Sequence, residues 1–209
     1  MNLVRFAAIA FLALTAAADA ATAGAEGSSL RVDILVFAQP AADGANYWQD
    51  NRTLPPCHAV ALHEGAGAEA AFTDNAGCER KAGHDPAYAG FAAAGNAALT
   101  PQAGKLKTGG YSLLLNRGWR QASLGQSPVL LRGGRTAGAR QELEGTITIG
   151  GTEKTPEVTL DITLTHMDGE RPQYVALKET RRVKSGEPNY FDHPMLGAIV
   201  QITVNGTAP

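Results

Sequence analysis

The stretch Val158-Thr159-Leu160-Asp161-Ile162-Thr163-Leu164 alternates apolar and polar residues without a break. A period of two puts Val158, Leu160, Ile162 and Leu164 on one side of an extended chain, and the threonines and Asp161 on the other. This is the pattern of an antiparallel strand with one face on a core and the other in water. Downstream, Asp168-Gly169 is a hairpin-type turn. Tyr174 to Val183 follows as a strand, Lys184-Ser185-Gly186 as a turn, and Leu196, Ala198, Val200, Ile202 and Val204 alternate in a last strand.

Upstream, Leu143, Gly145, Ile147 and Ile149 alternate, and Val129 to Leu131 is a short strand that Gly133-Gly134 is expected to break. Tyr111, Leu113 and Leu115 alternate, with Trp119 and Gln121 beyond an expected kink at Asn116-Arg117-Gly118. Arg31 to Phe37 is apolar on both sides, which predicts a central strand. The predicted sheet residues are therefore 31–37, 111–121, 143–149, 157–166, 173–183 and 196–204. Short strands joined by turn signals predict a mainly β fold, an antiparallel sandwich or partly open barrel with one short helix, with α+β as the alternative.

Residues 40 to 110 break this rhythm. Residues 40–85 are rich in Ala, Gly, Pro, Asn and Asp and hold neither a period of 2 nor one of 3.6. They read as a long loop region. Asp85-Pro86 is a helix start, since Asp caps exposed N–H groups and Pro is tolerated at the first helical position. Tyr88 and Phe91 give this helix an apolar face, and Gly95 and Pro101 keep it short.

The first residues have another character. Arg5 precedes an apolar run from Phe6 to Leu14, and Ala18-Asp19-Ala20 has the small-x-small form that signal peptidase cleaves. That order predicts a secretory signal over residues 1–20 and a single domain from Ala21 to Pro209. The run is shorter than the ~20 apolar residues a spanning helix needs, and no later stretch is apolar enough, so no membrane insertion is expected after cleavage. With 44% hydrophobic residues, 18% charged and a net charge of −2, the composition is that of a globular protein and carries no nucleic-acid signature.

Cys57 and Cys78 are the two cysteines. An exported chain with an even count predicts a disulfide. A metal site built with His58, His63 and His84 is the weaker reading. Adjacent Cys57 and His58 make poor tetrahedral ligands, and a Cys-x-x-Cys pair is missing. No metal and no cofactor are expected.

The most specific segment runs from Glu179 through Arg181-Arg182, Ser185-Gly186 and Tyr190-Phe191-Asp192-His193-Pro194 to Gly197 and the apolar strand after it. It resembles the closing segment of the CsiV family of exported peptidoglycan-binding proteins, in which a strand with paired arginines leads through a turn to an aromatic-rich Asp-His-Pro segment. Arg31 to Phe37 is similar to that family's opening strand, and Tyr111 to Gln121, ending Gly118-Trp119-Arg120-Gln121, to its middle strand. The chain departs from the family at Pro188-Asn189, where an apolar residue and then His are expected, and residues 40–110 align with nothing. The resemblance implies periplasmic residence, peptidoglycan binding and a regulatory role beside a penicillin-binding protein and its outer-membrane lipoprotein activator.

The residues themselves bear on wall binding. From Pro86 to Gln141 there is no Asp or Glu, while Lys105, Lys107, Arg117, Arg120, Arg132, Arg135 and Arg140 all lie there. Lys178, Arg181, Arg182 and Lys184 form a second cluster. Guanidinium groups pair with carboxylates through parallel hydrogen bonds, and peptidoglycan stem peptides carry free carboxylates. Trp119 and Tyr190 can stack on sugar faces. The plainer reading is that these cations decorate solvent-facing strands and pair with acids elsewhere; such exposed pairs are worth about 0–1 kcal/mol each.

The expected ligand surface therefore joins Trp119, Arg120, Arg181, Arg182, Tyr190, Asp192 and His193. Its binding should weaken with salt, and an Arg181→Ala, Arg182→Ala double variant should lose it with little change in melting temperature. Asp192-His193 invites a catalytic reading, but adjacent strand residues point to opposite faces. No Gly-x-Ser-x-Gly, His-Glu-x-x-His or paired-carboxylate motif accompanies it. The chain is expected to be no enzyme. A secreted cell-wall hydrolase and a protein–protein adaptor that never touches glycan are the rival readings.

Overall fold

The computed structural model describes residues 29–40, 48–49, 52, 54–62, 68–70, 90–94, 97–137, 140–168 and 171–205. The expected signal segment, Cys78, His63, His84 and the Asp85-Pro86 helix start lie outside them. The described chain is mainly β. Its strands are β1 (Ser29–Ala38), β2 (Val60–Leu62), β3 (Ala68–Ala70), β4 (Phe91–Ala93), β5 (Ser112–Gln121), β6 (Val129–Ala137), β7 (Arg140–Gly151), β8 (Pro156–Asp168), β9 (Arg171–Arg182), β10 (Pro188–His193) and β11 (Leu196–Asn205), and α1 (Thr100–Thr108) is its one helix.

These strands form two sheets, ordered β10-β11-β1-β5-β4 and β3-β2-β6-β7-β8-β9. They do not close into a barrel, so the sandwich is the architecture found. Every strand pairing is antiparallel except β2 with β6.

The alternation that predicts the fold sets the core. Val158, Leu160, Ile162 and Leu164 on β8 are buried together with Leu143, Ile147 and Ile149 of β7 and Val175 and Leu177 of β9. Facing them from the first sheet are Leu30, Val32, Ile34 and Val36 of β1, Trp119 of β5, Phe191 of β10 and Ala198, Val200 and Ile202 of β11. β1 is central as expected, between β11 and β5. Its other side is apolar because Leu35 sits under α1, packed with Leu99 and Ala103.

Four local expectations need correcting. The described helix is at 100–108, and Phe91, expected on the apolar face of a helix, belongs to β4; the Asp85-Pro86 start lies outside the described residues. Pro101 does not end a helix but lies in the first turn of α1, where its missing N–H costs nothing. Gly133-Gly134 does not end β6: the strand continues past a register shift there, with Gly134 at φ 74°. Such an irregularity bends a strand while preserving it. Nor does Asn116-Arg117-Gly118 kink β5, which stays in register with β1 throughout that stretch. Gly118 leaves room for a neighbour, since a Cβ there would lie 2.5 Å from Asp33 Oδ1.

Part of the expected loop region is ordered against the second sheet. Gln49 bridges to Tyr174 on β9. Arg52 pairs with the buried carboxylate of Glu144, which Arg132 also approaches at 3.6 Å. Ala59 packs on Leu130 before the chain enters β2.

Candidate functional site

β10 is an edge strand, hydrogen-bonded to β11 on one side only. Its register with β11 opposes Tyr190 to Ile199, Phe191 to Ala198, Asp192 to Gly197 and His193 to Leu196. Phe191 and His193 therefore turn toward the core side, and Tyr190 and Asp192 toward the outer face of the first sheet. Tyr190 is the one large hydrophobic residue exposed among the described residues, at 44%.

The ring of Tyr190 is held on one side. Phe37 of β1 lies parallel to it, with centroids 6.2 Å apart and an interplanar angle of 3°. Tyr111 meets Phe37 edge-on at 5.4 Å. Gly197 makes the arrangement possible. It sits opposite Phe37 on β11, and a Cβ on it would come within 2.5 Å of Phe37 Cζ and 3.2 Å of Tyr190 Cε2.

Polar groups border the ring. Tyr190 donates its hydroxyl hydrogen to Asp192 Oδ1 at 2.7 Å. Gln39, just beyond β1, brings Nε2 within 2.8 Å of the same Oδ1, 2.7 Å of the His193 carbonyl and 3.3 Å of the Tyr190 hydroxyl. Burial first, and the bonded carboxylate second, push the Tyr190 phenol up to about 12. His193 accepts the Met195 N–H on Nδ1 at 3.2 Å, and burial pulls its pKa below the ordinary value against the opposing pull of Asp192.

The remaining expected site residues are dispersed. Trp119 is fully buried in the core, with Nε1 donating to Gln121 Oε1 at 3.0 Å, so its ring faces no ligand. An alternating pattern marks the buried side of a strand, and Trp119 keeps step with Leu115 rather than with exposed Arg120. Arg120 is on the outer face of the first sheet, opposite Arg31. Tyr190 is opposite Ile199, Ile199 opposite Leu35 and Leu35 opposite Asn116, so Arg120 is three strands away and further along β5.

Arg181 and Arg182 diverge, as neighbours on a strand must. Arg182 approaches Glu157 at 3.9 Å on the second sheet. Arg181 donates to the Tyr190 carbonyl at 2.8 Å, pairs with Glu179 and lies 5.0 Å over the Phe191 ring. A single surface joining all seven expected residues is therefore not what the fold builds. It gathers Tyr190, Asp192 and the backbone of His193, adds Arg181 beneath, and recruits Gln39, Phe37 and Tyr111.

Several other cations follow the plainer reading. Arg132 and Arg135 pair with Glu144 and Glu142, Lys178 with Asp161, and Lys184 with Glu187. The Asp192-His193 pair does not have the geometry of a catalytic dyad. The carboxylate bonds to Tyr190 and Gln39, and the imidazole Nδ1 accepts from the Met195 N–H within the turn that follows β10. Cys57 and His58 are exposed in a turn. Among the described residues no cluster of three or more His, Cys, Asp or Glu could hold a metal, and no helix is long and apolar enough to cross a membrane.

A family model described as "Peptidoglycan-binding protein, CsiV" matches residues 6–204. The chain belongs to the CsiV family. The match takes in every strand from β1 to β11 and the 40–110 region, which the resemblance in the sequence left unaligned. Peptidoglycan binding is the property the family is named for, and it suggests a cell-envelope location. No curated protein and no solved structure matches the chain. Within this CsiV chain, the segment that carries the resemblance most specifically, Tyr190 to Pro194, is also the segment that forms the aromatic ledge at the sheet edge.

Proposed function

We propose that the chain is exported to the periplasm, loses residues 1–20, and binds peptidoglycan there without catalysing any reaction on it. Through that contact it modulates wall growth in support of a penicillin-binding protein and its outer-membrane lipoprotein activator. Membership of the CsiV family supports the wall as ligand. The observation that carries the reading is the Tyr190 ledge: an exposed aromatic ring on an edge strand, bordered by Asp192 and Gln39. An aromatic surface with a few convergent polar groups is the composition of a small-molecule or sugar site.

The test uses purified sacculi. The protein should pellet with them and leave the supernatant clear of muropeptides. Released fragments would make it a hydrolase. Absence from the pellet, with capture of the penicillin-binding protein or its activator retained, would make it an adaptor that never touches glycan.

A further inference from the structure

The ledge has a chemistry that selects between the two halves of its polymeric ligand. Tyr190 stacks on Phe37 across Gly197, and Tyr190 stands on the outermost strand of its sheet. Tyr190 is 44% exposed and among the described residues no strand lies beyond β10, so the ring face away from Phe37 looks past the sheet edge. A flat apolar face with one side open suits a pyranose ring, whose axial C–H groups form an apolar face of similar size.

The groups around the ring suit hydroxyls rather than carboxylates. Asp192 is exposed and acceptor-only when ionised. Its Oδ1 takes hydrogen bonds from Tyr190 and Gln39, and its Oδ2 has no partner among the described residues. A sugar hydroxyl or an acetamido N–H can donate to it. A stem-peptide carboxylate has no proton to donate near neutral pH and meets a like charge.

The cation nearest in the strand arrangement, Arg181, is engaged with Glu179, the Tyr190 carbonyl and the Phe191 ring. Arg182 points to the opposite face of β9, and Arg120 is three strands off. The fold leaves Arg181 bonded to the Tyr190 main chain and to Glu179, and carries Arg182 and Arg120 away from the Tyr190 ring.

We propose that the open face of Tyr190 receives the flat face of an uncharged, N-acetylated sugar of the glycan strand, with Asp192 and Gln39 bonding its hydroxyl and acetamido groups, and that the stem-peptide carboxylates are not what this site reads. The inference rests on the wall-binding reading above and narrows it to one half of the polymer. It reverses the salt dependence expected from arginine–carboxylate contacts, because stacking and neutral hydrogen bonds are not screened as ion pairs are.

The experiment compares three probes: intact sacculi, glycan strands stripped of stem peptides by an amidase, and the free stem peptide. Each is measured at 0.1 M and 1 M salt, where the screening length falls from about 10 Å to about 3 Å. The protein should bind sacculi and stripped glycan, ignore the free peptide, and change its affinity less than about twofold with salt.

Tyr190→Ala should weaken binding to stripped glycan about tenfold or more, and Tyr190→Phe, which keeps the ring, much less. If Tyr190→Ala fails to fold, Asp192→Ala provides the same reading with the ring intact, at about tenfold weaker binding. Binding to intact sacculi but not to stripped glycan, or release at 1 M salt, overturns the sugar assignment and leaves wall binding standing. A folded protein that binds none of the three overturns both.

Discussion

Arg181 on the last strand of one sheet donates to the carbonyl of Tyr190 on the edge strand of the other, at 2.8 Å. The same guanidinium lies 5.0 Å over the Phe191 ring and pairs with Glu179. One edge strand of each sheet, β9 and β10, is thus clipped to the other by this side chain, beneath the aromatic ledge. A planar guanidinium suits this place because it donates in its own plane while stacking on a ring face.

Removing that clip should affect stability before binding. Arg181→Ala leaves the Tyr190 carbonyl without its donor and uncovers Phe191, a loss of about 1–2 kcal/mol for a partly exposed charged hydrogen bond with its ring contact. That corresponds to a melting temperature lower by about 2–8 °C for a domain of this size. Arg182→Ala removes only a long, exposed contact with Glu157 and should shift the transition by no more than about 1–2 °C. A double variant is therefore expected to lose stability through Arg181 rather than through Arg182. Equal, small shifts in scanning fluorimetry for both single variants would show that the clip contributes nothing.

Trp119 gives the sharpest contrast between a surface and a core reading. It is fully buried, and its Nε1–H is bonded to Gln121 Oε1, while Gln121 in turn donates to the Ser123 carbonyl. Trp119→Ala should cost about 3–5 kcal/mol through the cavity it leaves. Trp119→Phe should cost less, yet it strands a buried amide oxygen, at about 1–3 kcal/mol. Chemical denaturation followed by circular dichroism measures both. A Trp119→Ala protein with unchanged midpoint and lost sacculus binding would restore this residue to the surface site.

The alternation at 158–164 was enough to find β8 and, by extension, most of both sheets, because burial on one face imposes a period that local sequence cannot hide. β10 was missed as a strand for a physical reason. It is an edge strand with Tyr190 exposed and Pro188 at its start, so its pattern is irregular, and its single apolar core residue is Phe191. The aromatic ledge was half legible: Tyr190 and Asp192 stood out in the sequence, whereas Gln39 and Tyr111 carry no local mark and join the site only through strand pairing. The Trp119 assignment failed because an aromatic beside an arginine looks like a ligand pair, whereas the strand period assigns them to opposite faces.

Gly197 tests whether the ledge depends on packing behind it. A methyl group there would meet the Phe37 ring at 2.5 Å and Tyr190 Cε2 at 3.2 Å. Phe37 is buried and cannot simply swing outward. Gly197→Ala should therefore destabilise by about 1–3 kcal/mol, as overpacking does, and should part the Phe37–Tyr190 stack. Ring-current shifts of the Phe37 protons in NMR spectra report the stack directly. Unchanged shifts in a folded Gly197→Ala protein would mean that the rings are held in place some other way.

The cysteine pair is open to a simple measurement. Cys57 lies in an exposed turn before β2, and a bond to Cys78 would tie the 40–110 region to itself. A loop of about 20 residues closed this way adds on the order of 3 kcal/mol in the chain-entropy model. Intact-mass analysis of protein prepared from the periplasm without reductant should show a deficit of about two hydrogens. Reduction should lower the melting temperature. Two thiols alkylated in the native, unreduced protein would remove the bond.

Alkaline titration examines the hydrogen bond at the centre of the ledge. The Tyr190 phenol is pushed up to about 12 from an ordinary value of 10.0, first by burial and then by the bonded carboxylate of Asp192. Because the folded value is raised, the stabilisation it reflects is fully present below the unfolded pKa and is lost as pH rises from about 10 through about 12. Ultraviolet difference spectra should therefore show a late tyrosine ionisation that is absent from Tyr190→Phe. Asp192→Asn removes the negative charge and keeps an acceptor oxygen, so the late step should move down while staying above the ordinary value, since burial remains. His193 works in the opposite sense. Its folded pKa is lowered, so its contribution is present above its unfolded value of 6.5 and is lost as pH falls through the folded one. Protonating Nδ1 also ends its bond from the Met195 N–H. If the late tyrosine step is unmoved in Asp192→Asn, the Tyr190–Asp192 bond does not form in solution, and the ledge loses the polar group that would orient a sugar on it.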